Sequence, residues 1–226
     1  MRKVLSPIRV GPIRVGPIRV GPIRAAAAIG VAVALTVSAA GCSSNTPSAD
    51  KCQEVSVELT DIPTRTDQEP KMRIPMPQGW ERSTKMDSEQ IRFAIRNPGL
   101  AADGFTPNAV VTLQKVPSDV AWPDQILQAQ NDQLAKKLKL TDLNATPTEV
   151  CGAPALSTTY TAPEVNLGKK APAIPPRSAK QLGVVYKAGD LIWVATLTVQ
   201  TVKPDDQTYA KDSDEIIKGF QLLPPR

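Results

Sequence analysis

The chain has 226 residues, of which 27 are Lys or Arg, 22 are Asp or Glu and none is His. Without His there is no Ser-His-Asp triad, no His general acid–base catalysis and no His-ligated metal. Aromatic residues make up 4% of the chain, few rings to line a large ligand cavity, and the formal charge of +5 is unevenly placed.

The unevenness begins at the N-terminus. Pro7 to Arg24 repeats Pro-Ile-Arg-Val-Gly three times and then part of a fourth. The period is too short for one unit of a solenoid, and Pro and Gly in every copy rule out a helix or a regular strand. Each copy carries an Arg and no acid. From Ala25 to Ala40 the chain runs sixteen residues without a charge, and Gly41-Cys42 follows. A basic stretch, an apolar stretch and small residues in that order read as a secretory signal peptide over residues 1–41. The apolar run falls short of the ~20 residues a helix needs to span hydrocarbon, which disfavours a permanent transmembrane anchor. Cys42 after Ala39-Ala40-Gly41 resembles a bacterial lipobox, in which the Cys takes a diacylglyceryl thioether and becomes the mature N-terminus. Ala39 stands where Leu is usual, and plain secretion is the alternative. The repeat is then a tolerated expansion of the charged region, or the product of a start upstream of the true one. It is given no role in the mature protein.

Removing residues 1–41 takes six cations and no acid, leaving 21 basic against 22 acidic residues. The basic character therefore belongs to the leader and gives no argument for nucleic acid. The remaining 185 residues suit one domain with a real core. Lipid on Cys42 leaves an even pair, Cys52 and Cys151, expected to be disulfide-bonded in an exported chain; two buried thiols are the alternative. Residues 42–51 form a polar, lipid-anchored linker, and 52–226 form the folded domain.

Glu54 to Ile62 alternates Val55, Val57 and Leu59 with polar residues, the period of a half-buried strand. Lys71 to Ser83 follows, where Pro75 and Pro77 favour an extended edge that ends at a Gln78-Gly79 turn. Ile91–Asn97 and Ala109–Val116 are the clearest next strands. A helix opens at Pro123-Asp124 and carries Ile126, Leu127, Gln130, Leu134 and Leu138 at helical spacing to a basic end. Lys136, Lys137 and Lys139 there read as a solvated last turn that complements the dipole. Two strands surround Gly152-Ala153-Pro154, and a hairpin runs from Gly183 to Tyr186 and Leu191 to Gln200. A closing helix spans Asp205 to about Phe220, with Ile216, Ile217 and Phe220 on its apolar face. Strands, helix, strands, helix is an α+β order: a central antiparallel sheet flanked by helices.

Ile74-Pro-Met-Pro-Gln-Gly-Trp80, Ile91-Arg-Phe-Ala-Ile-Arg-Asn-Pro98, the Ile126-Leu-Gln-Ala-Gln130 helix, the late hairpin and Asp214-Glu-Ile-Ile-Lys-Gly-Phe-Gln-Leu-Leu223 appear in that order. In this they resemble the mycobacterial LpqN/LpqT-type lipoproteins, which are similar in fold to Mog1 and PsbP. The resemblance covers about residues 55–223. It implies an envelope lipoprotein that binds other proteins in envelope biogenesis or host interaction, without catalytic residues. The proline-rich insert 163–177 is longer than the resemblance implies.

The chemistry of the chain agrees with that implication. Gly-x-Ser-x-Gly, the phosphate-binding loop motif and Cys-x-x-Cys are all missing. Asp205-Asp206 and the acids of Asp212 to Glu215 read as capping and solvation of a helix start, with a cation site as the lesser reading. Trp80, Trp122 and Trp193 read as core anchors. Ala162 to Lys180 differs: four prolines, the cations Lys169, Lys170, Arg177 and Lys180, and a single acid. A long irregular segment within a compact domain is usually functional or disordered, and these four cations are the candidate partner-binding residues, suited to acidic lipid head groups or an acidic protein; a solvated mobile loop is the bland alternative. The expected function is a non-enzymatic adaptor on the outer face of the cell membrane, without cofactor or metal, binding envelope or host proteins. The alternative is a lipid or glycolipid carrier with an apolar cleft.

Overall fold

The computed structural model describes residues 46–116, 123–166 and 173–225. The signal peptide, its repeat, Cys42 and Trp122 lie outside the described residues. Strands β1 (Leu59–Ile62) and β2 (Lys71–Pro75) form an antiparallel pair. Next along the chain are β3 (Glu81–Arg82), β4 (Ile91–Arg96) and β5 (Asn108–Val116), then helix α1 (Pro123–Leu138). After it come β6 (Thr141–Val150), β7 (Ala153–Ala162), β8 (Arg177–Ala188) and β9 (Leu191–Thr201), then helix α2 (Gln207–Gly219) and β10 (Gln221–Leu223). A three-stranded sheet has the order β1-β2-β10, and a seven-stranded antiparallel sheet has the order β3-β4-β5-β9-β8-β7-β6. The α+β class holds; the single central sheet becomes two.

Period-two alternation decides the layers. Ala109, Val111 and Leu113 of β5 and Ala195, Leu197 and Val199 of β9 share one buried cluster with Ile216 and Phe220 of the α2 end and Met72, Ile74 and Leu222 of the small sheet. On the opposite face Ile126 and Leu127 of α1 pack with Leu156, Val185, Ile192 and Val194. Gly183 makes that approach possible, because a Cβ there would stand 2.8 Å from Leu127 Cδ2.

Strand β2 occupies the middle of the small sheet, although its prolines point to an edge. Pro75 is its last residue and pairs only with Leu59 of β1; β10 pairs with residues 71–73 and stops short of it. The missing N–H therefore falls where no β10 carbonyl waits. The expected strand from Glu54 is regular only from Leu59, yet Val55 and Val57 keep their half-buried alternation.

The Cys52–Cys151 disulfide is present, joining residues 99 apart. Cys151 and Gly152 form the two-residue turn between β6 and β7, with φ of 51° and 84°. Two positive φ values in a row are the type I′ signature that suits strand twist. Ser48 N–H donates to the Cys151 carbonyl at 3.0 Å, so the segment before Cys52 is fastened to the same turn. In the chain-entropy account a loop of this length contributes up to ~4.7 kcal/mol. Reduction, or Cys52→Ser with Cys151→Ser, should lower the melting temperature, and mass mapping without reductant should find the two peptides joined. Free alkylation of both thiols in the native protein would contradict the pairing.

Candidate interaction surface

The four candidate cations are not gathered in one loop. Strand β8 starts directly after Pro175-Pro176, at the first residue able to donate into the ladder. Arg177 and Lys180 therefore belong to a strand, three residues apart, and face opposite sides of the sheet. Arg177 Nε donates to Gln200 Oε1 of β9 at 2.7 Å, and Gln200 Nε2 donates to Asn108 Oδ1 of β5 at 3.0 Å. Lys180 faces α2, where its Nζ donates to Asp214 Oδ1 at 2.6 Å and to Ser213 Oγ at 2.9 Å. Both cations are engaged by side chains of neighbouring elements. The irregular segment is also shorter than the sequence suggests, since Val165 and Ile174 exchange backbone hydrogen bonds at 2.9 and 2.8 Å. Lys169 and Lys170 fall between them in the chain, outside the described residues.

The acids near the C-terminus have separate duties. Asp206 caps α2, its Oδ1 accepting from Tyr209 N–H at 2.9 Å. Asp212 lies in the body of the helix instead of at its start. Only 8% exposed, it accepts from Trp80 Nε1 at 2.8 Å. That bond joins the turn after β2 to α2. Tyr209 and Ile216 flank Asp212 on the buried stripe, and burial, with the Asp214 charge second, pushes the Tyr209 phenol well above its ordinary value. It stays neutral. A second buried fastener is the ion pair between Glu69, before β2, and Arg92 of β4, whose side chains are 4% and 5% exposed. Glu69 also accepts from the Arg65 N–H at 2.8 Å. No group of three or more Asp, Glu or Cys suited to a metal ion occurs among the described residues.

Sequence reasoning missed the Trp80–Asp212 and Glu69–Arg92 pairs. The first had a readable signal: Asp212 lies at i+3 from Tyr209 and i−4 from Ile216, so it sits on the apolar face, where a carboxylate needs a partner. Nothing local marks the second, because its partners are 23 residues apart on different elements.

Among the described residues, three of the surface grooves border α2, the disulfide or the small sheet. One of about 890 Å³ separates Val57, Met76 and Gln78 from Thr208, Lys211 and Glu215 of α2. One of about 300 Å³ lies beside the disulfide, bounded by Glu149, Ser157, Asp214 and Lys218 as well as Ile217 and Phe220. One of about 380 Å³ follows the β1–β2 connection past Asp61, Asp67, Lys71 and Arg73. Charged side chains line all three, so none is an apolar cleft for an acyl chain.

The sequence matches the family model described as probable lipoprotein LpqN over residues 45–223. The crystal structure of LpqN involved in cell envelope biogenesis of Mycobacterium tuberculosis is similar at a TM-score of 0.55 and 19% identity, covering 80% of this chain and 99% of that one. The solution structure of cyanobacterial PsbP from Synechocystis matches at a TM-score of 0.44 and 16% identity, over 76% of this chain and 97% of that one. The Saccharomyces cerevisiae Ran-binding protein Mog1p matches at 0.44 and 11%, over 75% and 97% of the two chains. No curated relative matches the sequence.

The Trp80–Asp212 bond should be measurable as a coupling. Asp212→Ala leaves a buried indole N–H without an acceptor, a loss of about 1–3 kcal/mol. Trp80→Phe removes the donor. In urea unfolding the double variant should lose clearly less than the sum of the two single losses. Strict additivity would show that the bond contributes nothing.

Proposed function

The chain belongs to the LpqN lipoprotein family, and on that footing we propose that it is a lipid-anchored, non-enzymatic module of the cell envelope that works by binding another protein. Cys42 carries the lipid, the domain sits on the outer face of the cell membrane, and its partner is an envelope or host protein. The solved relative's part in cell envelope biogenesis supports seeking the partner first among envelope-building proteins.

One observation carries the reading: the grooves are broad and open, and charged side chains are interspersed with apolar ones in each. Such surfaces suit polar, protein-sized contacts more than an enclosed acyl chain. The use made of the ionisable groups agrees. Arg177, Lys180, Asp206, Asp212 and Asp214 each hold a helix or strand in place. Lys169 and Lys170, between β7 and β8 in the chain, lie outside the described residues and stay candidates on their sequence context alone. They are the residues on which recognition of an acidic partner surface would rest.

Two experiments test this. Metabolic labelling with a fatty-acid analogue should mark the wild type and not Cys42→Ser; equal labelling would remove the anchor. Crosslinking in the native envelope, followed by mass spectrometry, should recover fewer partners from Lys169→Glu/Lys170→Glu than from wild type, with an unchanged melting temperature. Recovery should also fall with added salt, as for exposed charges screened over ~8 Å. Undiminished recovery would move the binding face to the grooves.

A further inference from the structure

We infer that the Cys52–Cys151 disulfide sets which end of the domain faces the lipid bilayer, with the β6–β7 and β8–β9 turns membrane-proximal and the opposite end of the sheet held outward. This rests on the lipid anchor at Cys42 proposed above. The strand registers define the two ends. Val150 pairs with Ala153 and Ala188 with Leu191, so the β6–β7 and β8–β9 turns lie at one end of the large sheet. Ala162 pairs with Arg177 and Asn108 with Gln200, which puts the β7–β8 connection and the start of β5 at the other. The Asp103–Lys203 ion pair, 2.9 Å, joins two loops at that far end.

The chain from the anchor reaches the first end only. The disulfide fixes Cys52 to the β6–β7 turn, and Ser48 is bonded to the same turn through the Cys151 carbonyl. The Lys51 stem lies over Gly152, where a Cβ would meet its Cδ at 2.6 Å. Whatever its conformation, the stretch from Cys42 to Ser48 can span at most roughly 20 Å. Strand β8 alone, Arg177–Ala188, is roughly 36 Å long at its ordinary rise. A tether shorter than the sheet cannot let the domain invert. The far end, with Arg177 and the β7–β8 connection, is turned toward partners arriving from outside and away from lipid head groups.

Without the disulfide the limit disappears. The next hold is Val55, packed against Gly219. The chain from Cys42 to Val55 extends roughly 43–47 Å, still longer than the sheet, and either end could then meet the bilayer.

The test uses the full lipidated chain on vesicles of phosphatidylcholine and phosphatidylglycerol. A fluorophore is placed through a non-natural side chain at position 190, in the β8–β9 turn, or at position 101, in the far-end loop. Both residues are exposed. Energy transfer to a short-range acceptor on the lipid head groups should be at least about threefold stronger from 190 than from 101, as labels a strand length apart require. Two further proteins should remove the difference: Cys52→Ser/Cys151→Ser, and one with a long Gly-Ser insertion between Ser44 and Asn45 that keeps the disulfide and the fold. Equal transfer from the two positions in the oxidised wild type overturns the orientation alone. Wild type that fails to bind vesicles overturns the anchor, and the orientation with it. A difference that survives the insertion shows that a contact other than the short tether orients the domain, and likewise overturns the inference.

Discussion

Strand β9 lies in the middle of the seven-stranded sheet, and at its start it must be covered on both faces. Trp193, Ala195, Leu197 and Val199 point one way, and Ile192 and Val194 the other. Two covers are needed, and the chain supplies them on either side: α1 between β5 and β6, α2 and β10 after β9. Helix α1 has sixteen residues, about 24 Å at the α-helical rise. It shields only part of its face. The residues of β9 on that face change accordingly, from Ile192 and Val194 to Thr196, Thr198 and Gln200. Gln200 is bonded across to Asn108 and Arg177, a polar chain that runs within the sheet. The switch from branched aliphatic to amide and hydroxyl marks where cover ends.

The second cover is thinner and needs fasteners. Strand β10 has three residues and β1 has four, and neither could hold a sheet alone. Trp80–Asp212 and Glu69–Arg92 tie the small sheet and its loops to α2 and to β4. A buried ion pair adds little net stability over an apolar pair, but removing one partner leaves a charge without water. Such pairs penalise misdocking. Lys180–Asp214, a third exposed on the lysine side and open to water on the acid side, adds less. The layers are thus placed by apolar burial and locked in register by a few polar contacts.

The same division explains what could be read from sequence. β5, β8 with β9, and both helices show strong periodicity, because each buries a continuous face, and their expected and observed limits nearly coincide at α1. β10 is three residues long, too short for alternation to register. Its existence also determines why β2 is central despite Pro75, so one invisible element concealed the role of another. Arg177 and Lys180 misled for a related reason: composition groups them with the prolines before them, whereas strand pairing assigns them to β9 and α2. The Cys pair was legible by parity once Cys42 was set aside. Its placement on a hairpin turn was not.

That placement repays closer thought. Type I′ turns favour Asn, Asp or Gly, yet the first turn position here is Cys151, a residue that meets steric resistance at positive φ of roughly 1–2 kcal/mol. A disulfide contribution of up to ~4.7 kcal/mol is large enough to offset that resistance. The crosslink also explains how the segment from Ser48 to Glu58 stays on the domain while contributing no regular strand before Leu59. Its holds are the Cys151 turn at one end, Val55 against Gly219 in the middle and the Glu58 carbonyl, bonded to Met76 N–H at 3.0 Å, at the other. A Cβ at Gly219 would meet Val55 at 2.7 Å, so the helix end is shaped to receive it. The N-terminal strap therefore meets α2 at its C-terminal end, through Val55. Cutting its covalent end would loosen the groove beside Val57 and the contact at Gly219 before it disturbed β5 or β9, which are held by burial on their own faces.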